Sequence, residues 1–485
     1  MSESRGGKAA SSLLFKLCES FGTQGVAFIV SIVLARLLNA ADYGQLGILL
    51  VFTALCQVFV QSGLGTALIQ KKTVDETDLS SVFYLSLGIA VVLYLLLFFL
   101  SPVIAGFYHM PALKPTLRVL ALVLLPGALL SVQNAVIARE MRFRTLMAAS
   151  LIATVLSGAL GILLALRGCG LWALVAQQLC LPCVQCAVLW LRLSWHPQKR
   201  FSLTSIRGLF RFGWKLLAAS LLDTGYIKLR SAIIGKRFDA DTLGQYTKGQ
   251  QFPELCMNAV NGSIQSVMLP VLSECQDDPA RMKTLMRRSV MGSSYLVLPL
   301  MAGLAACAPS LILLLLGEKW MPCVPFLQIC CIDFAFYPIH TANLQAINAM
   351  GRSDVFLKLE LIKKSYGLLI LCFTALVLNN VYAIAWGAVI STLLSAAVNA
   401  WPNRRLLRYG YGEQLKDILV PLALSLLMFG AVYLLNRLRL PAVPLLMLQV
   451  LCGITVYGAL SLLFKPEGFR CLLDALKTVR RKKST

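Results

Sequence analysis

Long continuous apolar runs, separated by short polar loops, fill almost the whole chain; 82–107 and 291–316 are the clearest. Each is long enough to cross a bilayer, which takes ~20 predominantly apolar residues at 1.5 Å rise per residue. The runs do not alternate apolar with polar positions, so they predict helices and not strands. Only helices and closed barrels satisfy their backbone in lipid. The pattern predicts an all-α, polytopic membrane protein of about 14 transmembrane helices.

Composition supports this. Of 485 residues, 58% are hydrophobic and 14% charged, against roughly 25% charged in soluble domains. A net charge of +23 could suit nucleic acid, but its distribution points elsewhere. Most Lys and Arg fall on alternate loops, as at Arg139, Arg142 and Arg144, at Arg281, Lys283, Arg287 and Arg288, and in the tail at Arg480, Arg481, Lys482 and Lys483. The intervening loops hold few, such as Arg36, Lys114, Arg118 and Lys319. Basic loops stay cytoplasmic. The expectation is both termini cytoplasmic, multi-pass in a bacterial cell membrane, with no nucleic acid partner.

The opposite loops are short and leave no outer domain for a catalytic site, so a non-enzyme is expected. Lys16 and Glu19 interrupt the first apolar run, which is expected to be retained as a span rather than cleaved as a signal. The 15 cysteines are scattered through the spans, and Cys180, Cys183 and Cys186 read as small apolar residues. His109, His196 and His340 are isolated, so neither metal nor cofactor is expected.

An internal repeat gives the organisation. The loop from Leu38 through Ala40, Asp42 and Gly44-Gln45 is echoed from Phe238 through Ala240, Asp241 and Gly244-Gln245, with Arg36 opposite Lys236. Further on, Asn134-Ala135 echoes Gln345-Ala346, and Arg142 echoes Arg352. Equal sidedness makes the repeat parallel, so two pseudo-symmetric six-helix lobes follow one another, with substrate expected near the midplane between them. The expected domains are a six-helix lobe over 1–200, a second over 201–410, an appended helix pair over 411–465 and a basic amphipathic cytoplasmic tail over 466–485.

Polar groups inside the spans mark candidate chemistry, because a mid-membrane charge usually faces a cavity or a partner. At 100° per residue, Gln251, Glu254, Asn258, Asn261 and Gln265 share one face of the eighth span within about 80°. Lys248 flanks that stripe. Asp223 and Arg230 share a face of the seventh span, with Lys228 pointing elsewhere. Lys16 and Glu19 lie one turn apart on the first span. Asp333, Tyr337 and His340, with Asn343 nearby, line the tenth. Each face can also be read as hydrogen-bonding glue, a local ion pair or cations reaching the headgroups. Lys16, Arg230 and Lys248 could bind a phosphate-bearing headgroup, Gln251 and Asn258 its sugars, and Glu19, Asp223 and Glu254 could balance the cations or take a coupling ion.

Several motifs resemble those of one family: Leu34-Ala35-Arg36-Leu37-Leu38 with Asp42-Tyr43-Gly44, Gly63-Leu64-Gly65-Thr66-Ala67-Leu68-Ile69-Gln70, Ile234-Gly235-Lys236 with Leu243-Gly244-Gln245-Tyr246, Gly317-Glu318-Lys319-Trp320, and Asn348-Ala349-Met350-Gly351-Arg352-Ser353-Asp354. The set resembles the Wzx-like oligosaccharide flippases of the wider group that holds multidrug antiporters and the lipid II flippase. The resemblance implies two six-helix lobes around a central cavity, an appended pair, and a substrate of undecaprenyl diphosphate carrying an oligosaccharide. It implies translocation by alternating access for lipopolysaccharide, capsule or teichuronic-type export, among membrane lipids and other polysaccharide assembly proteins. Relatives often carry an acidic residue where this chain has Arg230. The alternatives are a multidrug cation antiporter on the same scaffold, against which the intramembrane cations argue, and a membrane-embedded glycan polymerase or ligase, against which the short outer loops argue.

Overall fold

The computed structural model describes residues 22–470 other than 62–64, 66–67, 69–70, 72–73, 141, 194, 277 and 439, and without the side chains of 211–212, 215, 259, 263–267, 269–270 and 353. Lys16, Glu19 and most of the basic tail lie outside the described residues, as does the Gln265 side chain.

All regular structure among the described residues is helical. The helices are α1 (Gly22–Leu37), α2 (Ala40–Gln61), α3 (Glu76–Tyr108), α4 (Leu113–Glu140), α5 (Phe143–Leu166) and α6 (Leu171–Arg192), then α7 (Leu203–Arg237) and α8 (Ala240–Ser273). The chain continues with α9 (Pro279–Leu315) and α10 (Glu318–Ala349), α11 (Ser353–Leu376), and α12 (Val381–Leu406), α13 (Tyr411–Arg437) and α14 (Ala442–Phe464). Ten of these are long and apolar enough to cross a membrane. Among the others, α1 is short over its described part, whereas α7, α8 and α11 are long but carry charges such as Asp223, Lys248 and Lys363.

The helix ends follow from local chemistry. The Asp278 carboxylate accepts the amides of Ala280 (3.1 Å) and Arg281 (3.0 Å) at the head of α9, with Pro279 in the first turn, where a missing N–H costs nothing. Asn380 caps α12 by accepting the Tyr382 amide at 2.8 Å. Asp239 accepts the Thr242 amide at 2.7 Å before α8, and hydrogen bonds from Thr242 hold its carboxyl below the usual carboxylate range.

The sequence repeat has structural counterparts. Arg142 and Arg352 occupy the same place before α5 and α11, with φ −85° and ψ 46° in one and φ −85° and ψ 58° in the other. Their amides close matched turns, Arg142 onto the Ile137 carbonyl (3.1 Å) and Arg352 onto that of Ile347 (3.2 Å). Gly44 and Gly244 are related in the same way. A Cβ on Gly44 would lie 1.7 Å from the Ala240 carbonyl oxygen, and one on Gly244 would lie 1.9 Å from that of Ala40. The first turns of α2 and α8 therefore cross backbone to backbone, each through an Ala-x-x-x-Gly pair, the small-residue pattern that lets membrane helices approach closely.

The chain divides into two compact units, Met1–Gly244 and Gln245–Thr485. In the first, α5 packs along α6, α3 along α4, and α7 on α2 and α3. The first turn of α8 belongs to this unit. Its buried core includes Leu130, Ile137, Ala149 and Leu189. In the second unit α9 is the central support and packs against α10, α13 and α14. Met282, Met286, Val290, Leu298, Ala342 and Tyr409 form a buried cluster there.

Candidate functional site

The polar stripe of α8 divides in the folded protein. Lys248 is only 3% exposed. Its ammonium donates to Gln251 Oε1 at 3.0 Å and lies 5.9 Å from the Trp320 ring centroid. The packing behind it is tight, since a Cβ on the next residue, Gly249, would fall 2.8 Å from both the Cys323 carbonyl oxygen and the Phe326 Cβ. Gln251 is half-buried, and Glu254 and Asn258 are exposed on the same helix. Further along, Asn261 Oδ1 accepts the Thr341 hydroxyl. So α8 presents Gln251, Glu254 and Asn258 outward, holds Lys248 beneath Gln251, and uses Asn261 to grip α10.

In the first unit, α7 exposes Asp223 and half-buries Lys228 and Arg230. Its end is fixed to α3: Lys236 donates to the Phe107 carbonyl and sits 4.3 Å from the Phe107 ring centroid. The Tyr108 hydroxyl reaches the Ala232 carbonyl at 3.4 Å.

The face on α10 is interhelical glue. The Thr392 hydroxyl donates to Asp333 Oδ1 at 2.5 Å, and Asn399 Nδ2 lies 3.1 Å from His340 Nδ1. Asn343, fully buried, accepts at Oδ1 from Asn403 Nδ2 (2.8 Å) and Gln414 Nε2 (3.3 Å). α10 breaks at Phe336, immediately before Tyr337-Pro338, and this re-aims the second half of the face. An Asn343→Leu variant takes the Oδ1 acceptor from the Asn403 and Gln414 amides, which keep only the Asn343 and Tyr409 backbone carbonyls, and leaves Gln414 Oε1 without its donor. Each such group costs about 1–3 kcal/mol, so the thermal midpoint of the purified protein is expected to fall while Asn258→Leu, on an exposed position, leaves it nearly unchanged.

One cluster escapes the sequence reading. Arg287 of α9 gives Nε to both oxygens of Asp417 on α13 (3.0 and 2.8 Å) and Nη2 to Oδ1 (2.7 Å). Tyr409 adds its hydroxyl to Asp417 Oδ2 at 2.8 Å. Burial, then the Asp417 hydrogen bond, push the Tyr409 phenol well above its ordinary range. Nearby Lys283 pairs with Glu413 at 2.7 Å. The only sequence signal was an acid, Asp417, directly ahead of the apolar run Ile418-Leu419-Val420.

This architecture of long apolar helices, with intramembrane polar faces and no strand among the described residues, defines a multi-pass helical membrane protein. Residues 33–325 match the family described as "Polysaccharide biosynthesis protein". The chain is 25% identical to the teichuronic acid biosynthesis protein TuaB of Bacillus subtilis (strain 168), over 84% of this chain and 85% of that one. It is 24% identical to the succinoglycan biosynthesis transport protein ExoT of Rhizobium meliloti (strain 1021), over 93% of this chain and 92% of that one. Its fold resembles the solved lipid II flippase MurJ in an inward closed conformation, with a TM-score of 0.76 at 14% identity, covering 95% of this chain and 100% of that one. The match to 33–325 takes in more than half of the chain, which belongs to the polysaccharide biosynthesis protein family.

Proposed function

We propose that the protein is a flippase that moves an oligosaccharide repeat unit, linked to undecaprenyl diphosphate, across the bacterial cell membrane by alternating access, for export of a lipopolysaccharide, capsule or teichuronic-type polysaccharide. The observation that carries this reading is the family match over 33–325, with relatives named for teichuronic acid and succinoglycan biosynthesis. The MurJ-like fold supports a helical scaffold of this kind along nearly the whole chain. In this reading α1, α7, α8 and α11 are spans too, which makes fourteen, and the bias of Lys and Arg among the loops supports cytoplasmic termini. Other assembly proteins are partners of the pathway rather than of the transport step.

Arg230 is the residue proposed to meet the diphosphate directly, since its guanidinium can bind two phosphate oxygens at once. Lys248 acts through Gln251, whose amide oxygen it holds, and Gln251 and Asn258 face the sugars. Lys16 joins them from the first span. Glu19, Asp223 and Glu254 neutralise the cations when no substrate is bound.

In a strain that needs the glycan, deletion of the gene is expected to leave lipid-linked oligosaccharide on the cytoplasmic side, with surface glycan lost. Arg230→Ala is expected to lower surface glycan by about tenfold or more at normal protein level, the scale of a lost charged hydrogen bond. Surface glycan unchanged by Arg230→Ala would remove the phosphate role. Absence of accumulated lipid-linked oligosaccharide in the deletion strain would remove the flippase reading itself.

A further inference from the structure

Where α9, α13 and the chain leaving α14 converge, the second unit forms an open-mouthed cavity of about 220 Å³, space for ~7 waters. Its lining combines apolar Met291, Val420 and Pro421 with Arg287, Lys416, Asp417 and Glu467. The third wall exists because the chain turns back after α14. Lys465 takes a left-handed conformation (φ 43°). Gly468 then packs so closely on α9 that a Cβ would meet the Met291 carbonyl oxygen and the Tyr295 Cβ, both at 2.8 Å. Phe469 sets its ring 6.0 Å from that of Tyr295.

The lining holds two cations and two carboxylates, and they are not equally engaged. Asp417 is saturated by Arg287 and Tyr409. Glu467 is 3.7 Å from Arg287 Nη2, beyond hydrogen-bond range, and its side chain is 63% exposed. Lys416 has no hydrogen bond or ion pair among the described residues. The cavity thus offers an open cation and a loosely held carboxylate beside apolar lining. The outer surface beside it is lipid-compatible, with Leu415 61%, Leu419 54% and Val420 43% exposed.

We propose that this cavity binds the phosphoethanolamine head group of a membrane phospholipid. The phosphate would meet Lys416 and the outer edge of Arg287, the primary ammonium would donate to Glu467, and the glycerol end would lie along Met291 and Val420. A glycerol head group would offer Glu467 only neutral hydroxyls in place of an ammonium, and a choline head group has no N–H to give. Cationic clefts between helices at the membrane surface are known head-group sites; here the balance of signs selects the zwitterion. The site shares no residue with the faces of α7 and α8 and does not depend on the transport reading.

The test is native mass spectrometry of the purified full-length chain, released from detergent with added phosphatidylethanolamine, phosphatidylcholine or phosphatidylglycerol of the same acyl chains. Retention of phosphatidylethanolamine about tenfold above the other two is expected, on the scale of one charge-assisted hydrogen bond. Glu467→Gln and Lys416→Gln are expected to bring it down to the phosphatidylcholine level, and Lys416→Arg to keep it. Equal retention of all three lipids by the wild-type chain would overturn the proposal. So would a preference for phosphatidylglycerol, or a phosphatidylethanolamine preference that survives both glutamine variants.

Discussion

Gly44→Ala is expected to cripple the protein, and Gly244→Ala to do the same, although each adds a single methyl group. In an ordinary helix interior that change stabilises by about 0.5–1 kcal/mol, because glycine loses the most backbone freedom on folding. Here the added carbon would sit 1.7 Å from the Ala240 oxygen, or 1.9 Å from the Ala40 oxygen. The obstacle is backbone, not the end of a flexible side chain, so the first turns of α2 and α8 must move apart by more than an ångström. Overpacking of this kind costs about 1–3 kcal/mol and occasionally more, and it also removes the close Cα–H···O contacts that such crossings allow. Gly88→Ala is the control: it lies within α3, and nothing stands within 4 Å of a Cβ there. Thermal unfolding of the purified variants should therefore show opposite signs, a lower midpoint for Gly44→Ala and Gly244→Ala and an equal or slightly higher one for Gly88→Ala. Surface glycan should fall roughly tenfold for the first two. A Gly44→Ala protein with wild-type midpoint and full glycan would mean that the crossing is not held as tightly as the backbone contacts require.

Those two glycines also show what was legible in the sequence. Their matched positions in the chain marked a repeat, and the fold places each against the alanine that begins the other's motif. Arg142 and Arg352 were weaker echoes, yet they start α5 and α11 with nearly the same backbone angles. Such features are readable because helix ends and close crossings are local: they depend on a few consecutive residues with special conformational needs. The faces of α8 and α10 were readable only as far as direction. Helical periodicity put Lys248 beside Gln251, but what covers Lys248 is Trp320, far along the chain, and no rule of spacing supplies that neighbour. On α10 the sequence left glue and cavity open, and the decision rests on Thr392, Asn399 and Asn403 of α12. Arg287 went unremarked among the loop cations. A loop cation and a cation in a buried pair look alike until its acid is found, and Asp417 is distant in sequence.

That pair gives the second large effect. Asp417→Ala is expected to destabilise the second unit by about 2–3 kcal/mol. The Asp417 side chain is 3% exposed and accepts three contacts from Arg287 and one from Tyr409. Removing it strands the buried Tyr409 hydroxyl and leaves a guanidinium without its anion. Breaking a buried pair from one side usually costs about 3–5 kcal/mol, but the Arg287 side chain is 43% exposed, and water recovers part of that loss. The pair also ties α13 to α9, next to the Lys283–Glu413 bridge at 2.7 Å, so its loss loosens the appended helices where they pack on α9. Buried cysteines such as Cys330 and Cys331 provide the readout, because a thiol-reactive dye reports their exposure during heating. Asp417→Ala should expose them at a lower temperature than wild type. Arg287→Met combined with Asp417→Leu should regain at least half of the lost midpoint, since it removes both charges and fills the space. If the double variant were as unstable as Asp417→Ala alone, the cost would lie in the shape of the α9–α13 contact rather than in its unmatched charge.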